Sequence, residues 1–370
     1  MAKKSKLAEW KHSIPTWTMS KRGANPKFQA GVELAGVGPV KERLLAIQKL
    51  SDELSTSTIS GKPLLTSLHI LHEVRSKYVD VTKLNNPNAI SRGDLKKGIK
   101  SGRFPQVLAI TAPAFGFAGI ERGAILSPNS LTKSMAKNLH IEAIEFAEEL
   151  EGEKLGKGIV IWWPAFDARR LDLLENQEPM AFEEAWQKLR DFWVEILQQT
   201  KGQVWLEWKT GDPGIDYLCT LKLAIDFCND VNKELGRKAM FINNEWAHLL
   251  IGGTTVAEGT RRTIDAGLFT GFVHVNSAQL LPVSIEYLME SGCSPEAIAF
   301  GMDWDWAVGM GGEARWNDQE EAVDSMDTCG AETIYAEHDI NPAGQDPIEF
   351  AKRSIENLET MLAAVREARS

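Results

Sequence analysis

Short apolar runs alternate with longer amphipathic ones along most of the chain. Runs at 14–19, 64–73, 107–112, 158–164, 204–209, 239–244, 272–276 and 297–305 are dense in apolar, β-branched and aromatic residues, and they predict buried strands. Segments 41–54, 127–150, 182–199, 215–235, 256–265 and 283–290 carry apolar residues at helical spacing. Strand and helix in repeated alternation predict an α/β protein closed as a (β/α)8 TIM barrel. A further run at 332–337 precedes a last helix at 347–368. It is either an appended element or the final barrel strand. The domain expectation is therefore a barrel over 1–330 followed by a C-terminal helical extension over 331–370, which could itself supply the last strand and helix.

A parallel barrel delivers all its strand ends to one mouth. The polar residues expected there are His69, Glu207, Lys209, Glu245, His248, His274, Asn276, Asp303 and Asp305. Glu207 and Lys209 are two apart, so a strand points both to one face. Glu245 and His248 are three apart at a strand exit, where the chain can turn both onto one ion. A buried ion pair would account equally well for the first pair, and a capping glutamate with a core histidine for the second. Their joint occurrence favours a metal, because carboxylates this close repel strongly without a cation. A set dominated by oxygen donors with added imidazole suits manganese first, with cobalt, magnesium or zinc as alternatives.

These motifs resemble the xylose isomerase-like superfamily, especially xylose isomerase and L-rhamnose isomerase. Glu207-Trp208-Lys209 looks like their strand-five Glu-x-Lys, and Asn243-Asn244-Glu245-Trp246-Ala247-His248 is similar to the Asn-x-Glu-x-x-His of xylose isomerases. His274-Val275-Asn276 resembles the His-x-Asn of L-rhamnose isomerase. The resemblance implies Glu207, Glu245, His248, His274 and Asp303 as metal ligands and Glu207, Lys209 and His69 as catalytic residues, with Trp17, Trp162 and Asn276 contacting substrate. Lys209 would stabilise a developing oxyanion and His69 would open the sugar ring. The run 277–282 lacks the Asp-x-Asp that completes a second metal site in those families. One ion held by Glu207, Glu245, His274 and Asp303 would then resemble ketose 3-epimerases. An alternative register, similar to the end of strand eight in L-rhamnose isomerase, offers Glu337 or Asp339 as ligand. It sets Gly301 where a histidine ligand belongs, so the register with Asp303 is preferred. The implied activity is metal-dependent aldose–ketose isomerisation, with a single-metal sugar epimerase or lyase, or a non-catalytic carbohydrate-binding barrel, as alternatives.

Composition narrows the partners. The net charge of -10 over 370 residues argues against nucleic acid. No apolar run reaches the roughly 20 residues of a membrane span, and Met1-Ala2-Lys3-Lys4 opens no signal sequence, so cytoplasm is the expected compartment. Cys219, Cys228, Cys293 and Cys329 show no CxxC spacing and are expected as free thiols. A small sugar is the expected ligand. Twelve tryptophans, some near strand ends, suit a sugar pocket and a self-associating surface, hence a homo-oligomer.

Overall fold

The structure is a computed structural model that describes residues 7–19, 39–54, 63–78, 88–112, 124–164, 167, 180–209, 217–279, 302–310, 314–340 and 345–370, with only the backbone of 279 and 302–306. The strands are β1 (Glu9–Ser13), β2 (Leu65–His69), β3 (Gln106–Thr111), β4 (Gly156–Trp162), β5 (Gln203–Leu206), β6 (Met240–Ile242), β7 (Phe272–His274), β8 (Ser277–Gln279), β9 (Met302–Trp306) and β10 (Thr333–Glu337). Eight of them form one parallel sheet in the order β6-β5-β4-β3-β2-β1-β10-β7. Its two end strands meet around Trp205 of β5, whose ring centroid lies 5.4 Å from that of Phe241 on β6 and 6.3 Å from that of Phe272 on β7. The sheet is thereby curled into a TIM barrel.

Strand alternation sorts the side chains into two layers. Leu65, Ile159, Ile161, Trp205, Phe241 and Phe272 pack together inside the barrel. Val160, Trp162, Val204, Leu206, Met240, Ile242 and Val273 join a second cluster with the surrounding helices. Helix α4 (Phe182–Gln199) buries Ala185, Leu189, Trp193, Ile196 and Leu197 at three- and four-residue spacing, so one stripe faces the sheet. At the end of the chain, Asp346 caps α9 (Pro347–Ala368) by accepting from the amides of Ile348 and Glu349 at 2.9 and 3.1 Å, and Pro347 occupies the first turn. Gly271 enters β7 at φ +96°, and a Cβ there would lie 2.2 Å from the Thr333 carbonyl oxygen, so close pairing of β7 with β10 requires glycine.

Two strand expectations are corrected. The first strand is Glu9–Ser13 rather than 14–19, because Pro15 has no amide for the ladder, and Thr16–Met19 form a 3-10 turn. The eighth barrel strand is Thr333–Glu337, hydrogen-bonded to both β1 and β7. The preferred run at 297–305 does not fill that place. Within it, 297–301 lie outside the described residues, and β9 pairs antiparallel with β8 in a separate two-stranded ribbon. Segment 331–370 thus carries a barrel strand and the helix after it. The expected helix at 283–290 also lies outside the described residues.

Candidate metal centre

The inner parity of the strands sets the site. Continuing past the apolar layer, it brings Ser13, Ser67, His69, Glu207, His274, Glu337 and Asp339 toward the barrel mouth. Glu245 leaves β6 through a short loop and immediately precedes α6 (Trp246–Ile251), which carries His248 one turn on.

His274, fully buried, is the hub. Its Nδ1 lies against Glu245 Oε2, and 3.6 Å from both Glu207 Oε2 and Asp339 Oδ2. Glu245, His274 and Asp339 offer ligand atoms all within 4.8 Å of one another, and so do Glu207, Glu245 and His248. Glu245 belongs to both groups. Asn276, expected to touch substrate, donates its amide to Glu245 Oε1 and to the Asp339 carbonyl, the latter at 2.9 Å, and accepts from the Ala247 amide at 2.8 Å. Asn243 donates to Glu207 Oε2 at 3.0 Å. These amides fix the carboxylates in place.

Crowded acids in a buried pocket perturb one another. Burial, followed by the Glu245 charge, raises the Glu207 pKa despite His274 and His248. Asp339 is pushed up to about 7 by burial and then by Glu245 and Glu207, against the pull of His274 and a 2.5 Å hydrogen bond from Trp17 Nε1. Burial opposes charge on His274, yet Glu245, Glu337 and Glu207 lift it well above 6.5.

The donors fit a divalent ion. Glu245 Oε2 and His274 Nδ1 are buried and adjacent, but neither makes a hydrogen bond of acceptable geometry. Such atoms cost free energy unless something else satisfies them. Three carboxylates and one imidazole match the oxygen-rich coordination of manganese or magnesium, and also suit cobalt or zinc.

The remaining predicted residues are placed as follows. His69 is held by Glu73, with Nδ1 3.1 Å from Glu73 Oε2, and its ring lies 4.3 Å from that of Trp17. Trp17 therefore bridges His69 and Asp339. Lys209 is buried, its ammonium 5.9 Å from the centroid of the Trp163 ring. Trp162 takes the outer parity. It packs on Trp193 and Phe227 and donates to Asp167 Oδ2 at 2.8 Å, fully buried in the helix layer, so it is not at the mouth. The side chains of Asp303 and Asp305 lie outside the described residues.

Sequence reasoning missed Glu73 and set aside Asp339. Glu73 sits four residues after His69, where Leu71 at φ +78° turns the chain back. It takes Arg43 at 2.7 Å and the hydroxyl of Thr16. Burial raises its pKa, but Arg43, His69 and Thr16 prevail and hold it at about 2. The signal for Asp339 was present: Tyr335, Glu337 and Asp339 continue one face at period two.

No protein-family model matches the sequence, and no curated protein matches it either. Solved structures do match. An L-ribulose 3-epimerase aligns over 96% of both chains at 14% identity and TM-score 0.58. A D-tagatose 3-epimerase-like protein aligns over 82% of this chain and 91% of its own, at 17% identity and TM-score 0.54. A xylose isomerase domain protein from Planctomyces limnophilus aligns over 98% of both chains, at 14% identity and TM-score 0.51. These likenesses show a TIM-barrel fold.

Proposed function

We propose that the chain is a divalent-metal-dependent enzyme that inverts the carbon beside the carbonyl of a small ketose, by the proton transfer of a single-metal ketose 3-epimerase. Glu207, Glu245, His274 and Asp339 would hold the ion. The observation that carries this reading is the meeting of three carboxylates, from three strand ends, around one buried imidazole nitrogen that a fourth strand supplies. The likeness in fold to an L-ribulose 3-epimerase and to a D-tagatose 3-epimerase-like protein supports it. Among the described residues, no helix is long and apolar enough to cross a membrane.

A bound ion would supply Lewis acidity to adjacent sugar oxygens, which acidifies the hydrogen on the carbon beside a carbonyl. The protein supplies the proton carriers. Glu207 and Asp339 stand at equal distance from His274 Nδ1, and each offers a carboxylate able to take up or return a proton beside a bound sugar. In this reading one removes the proton and the other returns it. Lys209 places a buried cation near the mouth, suited to a developing oxyanion. Glu73 commits His69 Nδ1, so exchange of a proton at a sugar ring oxygen falls to Nε2.

A second reading, two-metal aldose–ketose isomerisation, is favoured by the Glu207, Glu245 and His248 group. Purified protein with its metal quantified, incubated with a panel of ketoses and aldoses in heavy water, tests both. One ion per chain with deuterium entering the product supports proton transfer. Two ions with no deuterium entering support hydride shift. A metal-free protein that converts no sugar on addition of manganese, cobalt or magnesium removes both.

A further inference from the structure

Glu337 is a carboxylate that the proposed chemistry does not use. It closes β10, is fully buried, and its Oε2 accepts hydrogen bonds from Ser13 Oγ at 2.8 Å and from Ser67 Oγ. These hydroxyls come from the two strands next along the sheet from β10, so three strands fix one oxygen. The other oxygen, Oε1, lies 3.2 Å from His274 Nε2. That separation is within hydrogen-bond range, but the atoms are off the line of a well-formed bond, and neither has another hydrogen-bond partner among the described residues.

The two faces of the His274 ring thus see different surroundings. Nδ1 looks at Glu207, Glu245 and Asp339, and among the described carboxylates Nε2 looks at Glu337. A neutral imidazole carries one proton, and the nitrogen that keeps it cannot ligate. Phe272 packs edge-on against the ring, 5.2 Å between centroids, which restricts reorientation. An oxygen anchored by two serines leaves its partner oxygen fixed opposite Nε2, where only a proton donor satisfies it.

We propose that Glu337 is a positioning residue that keeps the proton of His274 on Nε2, reserving Nδ1 as a metal donor, with Ser13 and Ser67 holding Glu337 in place. This rests on the metal centre proposed above, but not on any particular sugar. The same geometry keeps Glu337 out of the ligand set, since it lies on the far side of the ring from the other carboxylates. Second-sphere partners of ligating histidines typically change metal affinity 10- to 100-fold.

The test is manganese binding to apoprotein by calorimetry, with wild type, Glu337→Gln, Glu337→Ala and the double variant Ser13→Ala/Ser67→Ala, each checked for folding by circular dichroism. Nitrogen-15 spectra of the magnesium-loaded proteins report the tautomer of His274. Expected are affinities about 10- to 100-fold weaker in both Glu337 variants, a smaller loss in the serine pair, and an Nε2-protonated His274 in magnesium-loaded wild type. Folded Glu337 variants that bind manganese within threefold of wild type, or a wild-type His274 protonated at Nδ1, overturn the proposal. Wild type that binds manganese but converts no sugar sinks the enzymatic reading and leaves this one standing. Wild type that binds no manganese ends both.

Discussion

Glu73 gives the sharpest energetic prediction. Its carboxylate is buried with no exposure, paired to the nearly buried Arg43 at 2.7 Å, and held at about 2 against an ordinary 4.5. Each tenfold change in proton affinity is worth about 1.4 kcal/mol, so the ionised form stabilises the fold by about 3 kcal/mol at neutral pH. That agrees with the roughly 3 to 5 kcal/mol lost when one member of a buried pair is removed. Glu73→Gln leaves Arg43 buried beside a neutral amide and should lose about that much, measured by urea denaturation at pH 7. Because the folded-state pKa is depressed, the wild-type advantage is full above 4.5 and fades as pH falls toward about 2. At pH 3 the gap should have shrunk to roughly half or less. A gap below about 1 kcal/mol at pH 7, or one unchanged between pH 7 and pH 3, would refute the reasoning.

Other predictions follow from the same site and its frame. Asp339, raised to about 7, has the opposite sign: its proton stabilises the apoprotein at low pH, and that contribution is lost as pH rises through about 7. Manganese must displace the proton, so calorimetry in buffers of different ionisation heat should show proton release near pH 6.5, and affinity should climb between pH 6 and 8. Asn276→Ala, which strips the amide donor from Glu245 and Asp339, should weaken manganese binding about tenfold while the barrel stays folded by circular dichroism. Gly271→Ala adds a methyl at φ +96° against the Thr333 carbonyl and should cost at least about 2 kcal/mol in thermal or urea unfolding.

Much of the barrel is written in alternation that survives translation into structure. Helices α4 and α9 fall where the apolar stripe and the caps put them, because a stripe at 3.6 spacing and an Asp-Pro start are local signals. Strand eight was misplaced for a non-local reason. The stretch at 297–306 is richer in apolar residues than Thr333–Glu337, but hydropathy does not record which neighbour a strand pairs with. The pairing is set by β1 and β7 on either side, and by the glycine that lets β7 approach. Glu207, Glu245 and His274 were readable because each ends an apolar run. Trp162 faces the helix layer because strand parity, not residue type, decides which way a side chain points. Glu73 was invisible because its partners Arg43, Thr16 and His69 come from three elements joined only by folding.

The central claim is that one buried imidazole nitrogen and the carboxylates around it form a single cation site. Anomalous diffraction from manganese-soaked crystals addresses it directly. One strong peak at ligation distance, roughly 2.0 to 2.3 Å, from Glu207, Glu245, His274 Nδ1 and Asp339 is the predicted result. No peak in the barrel mouth, or a peak bonded to Glu337 instead of His274 Nδ1, contradicts it.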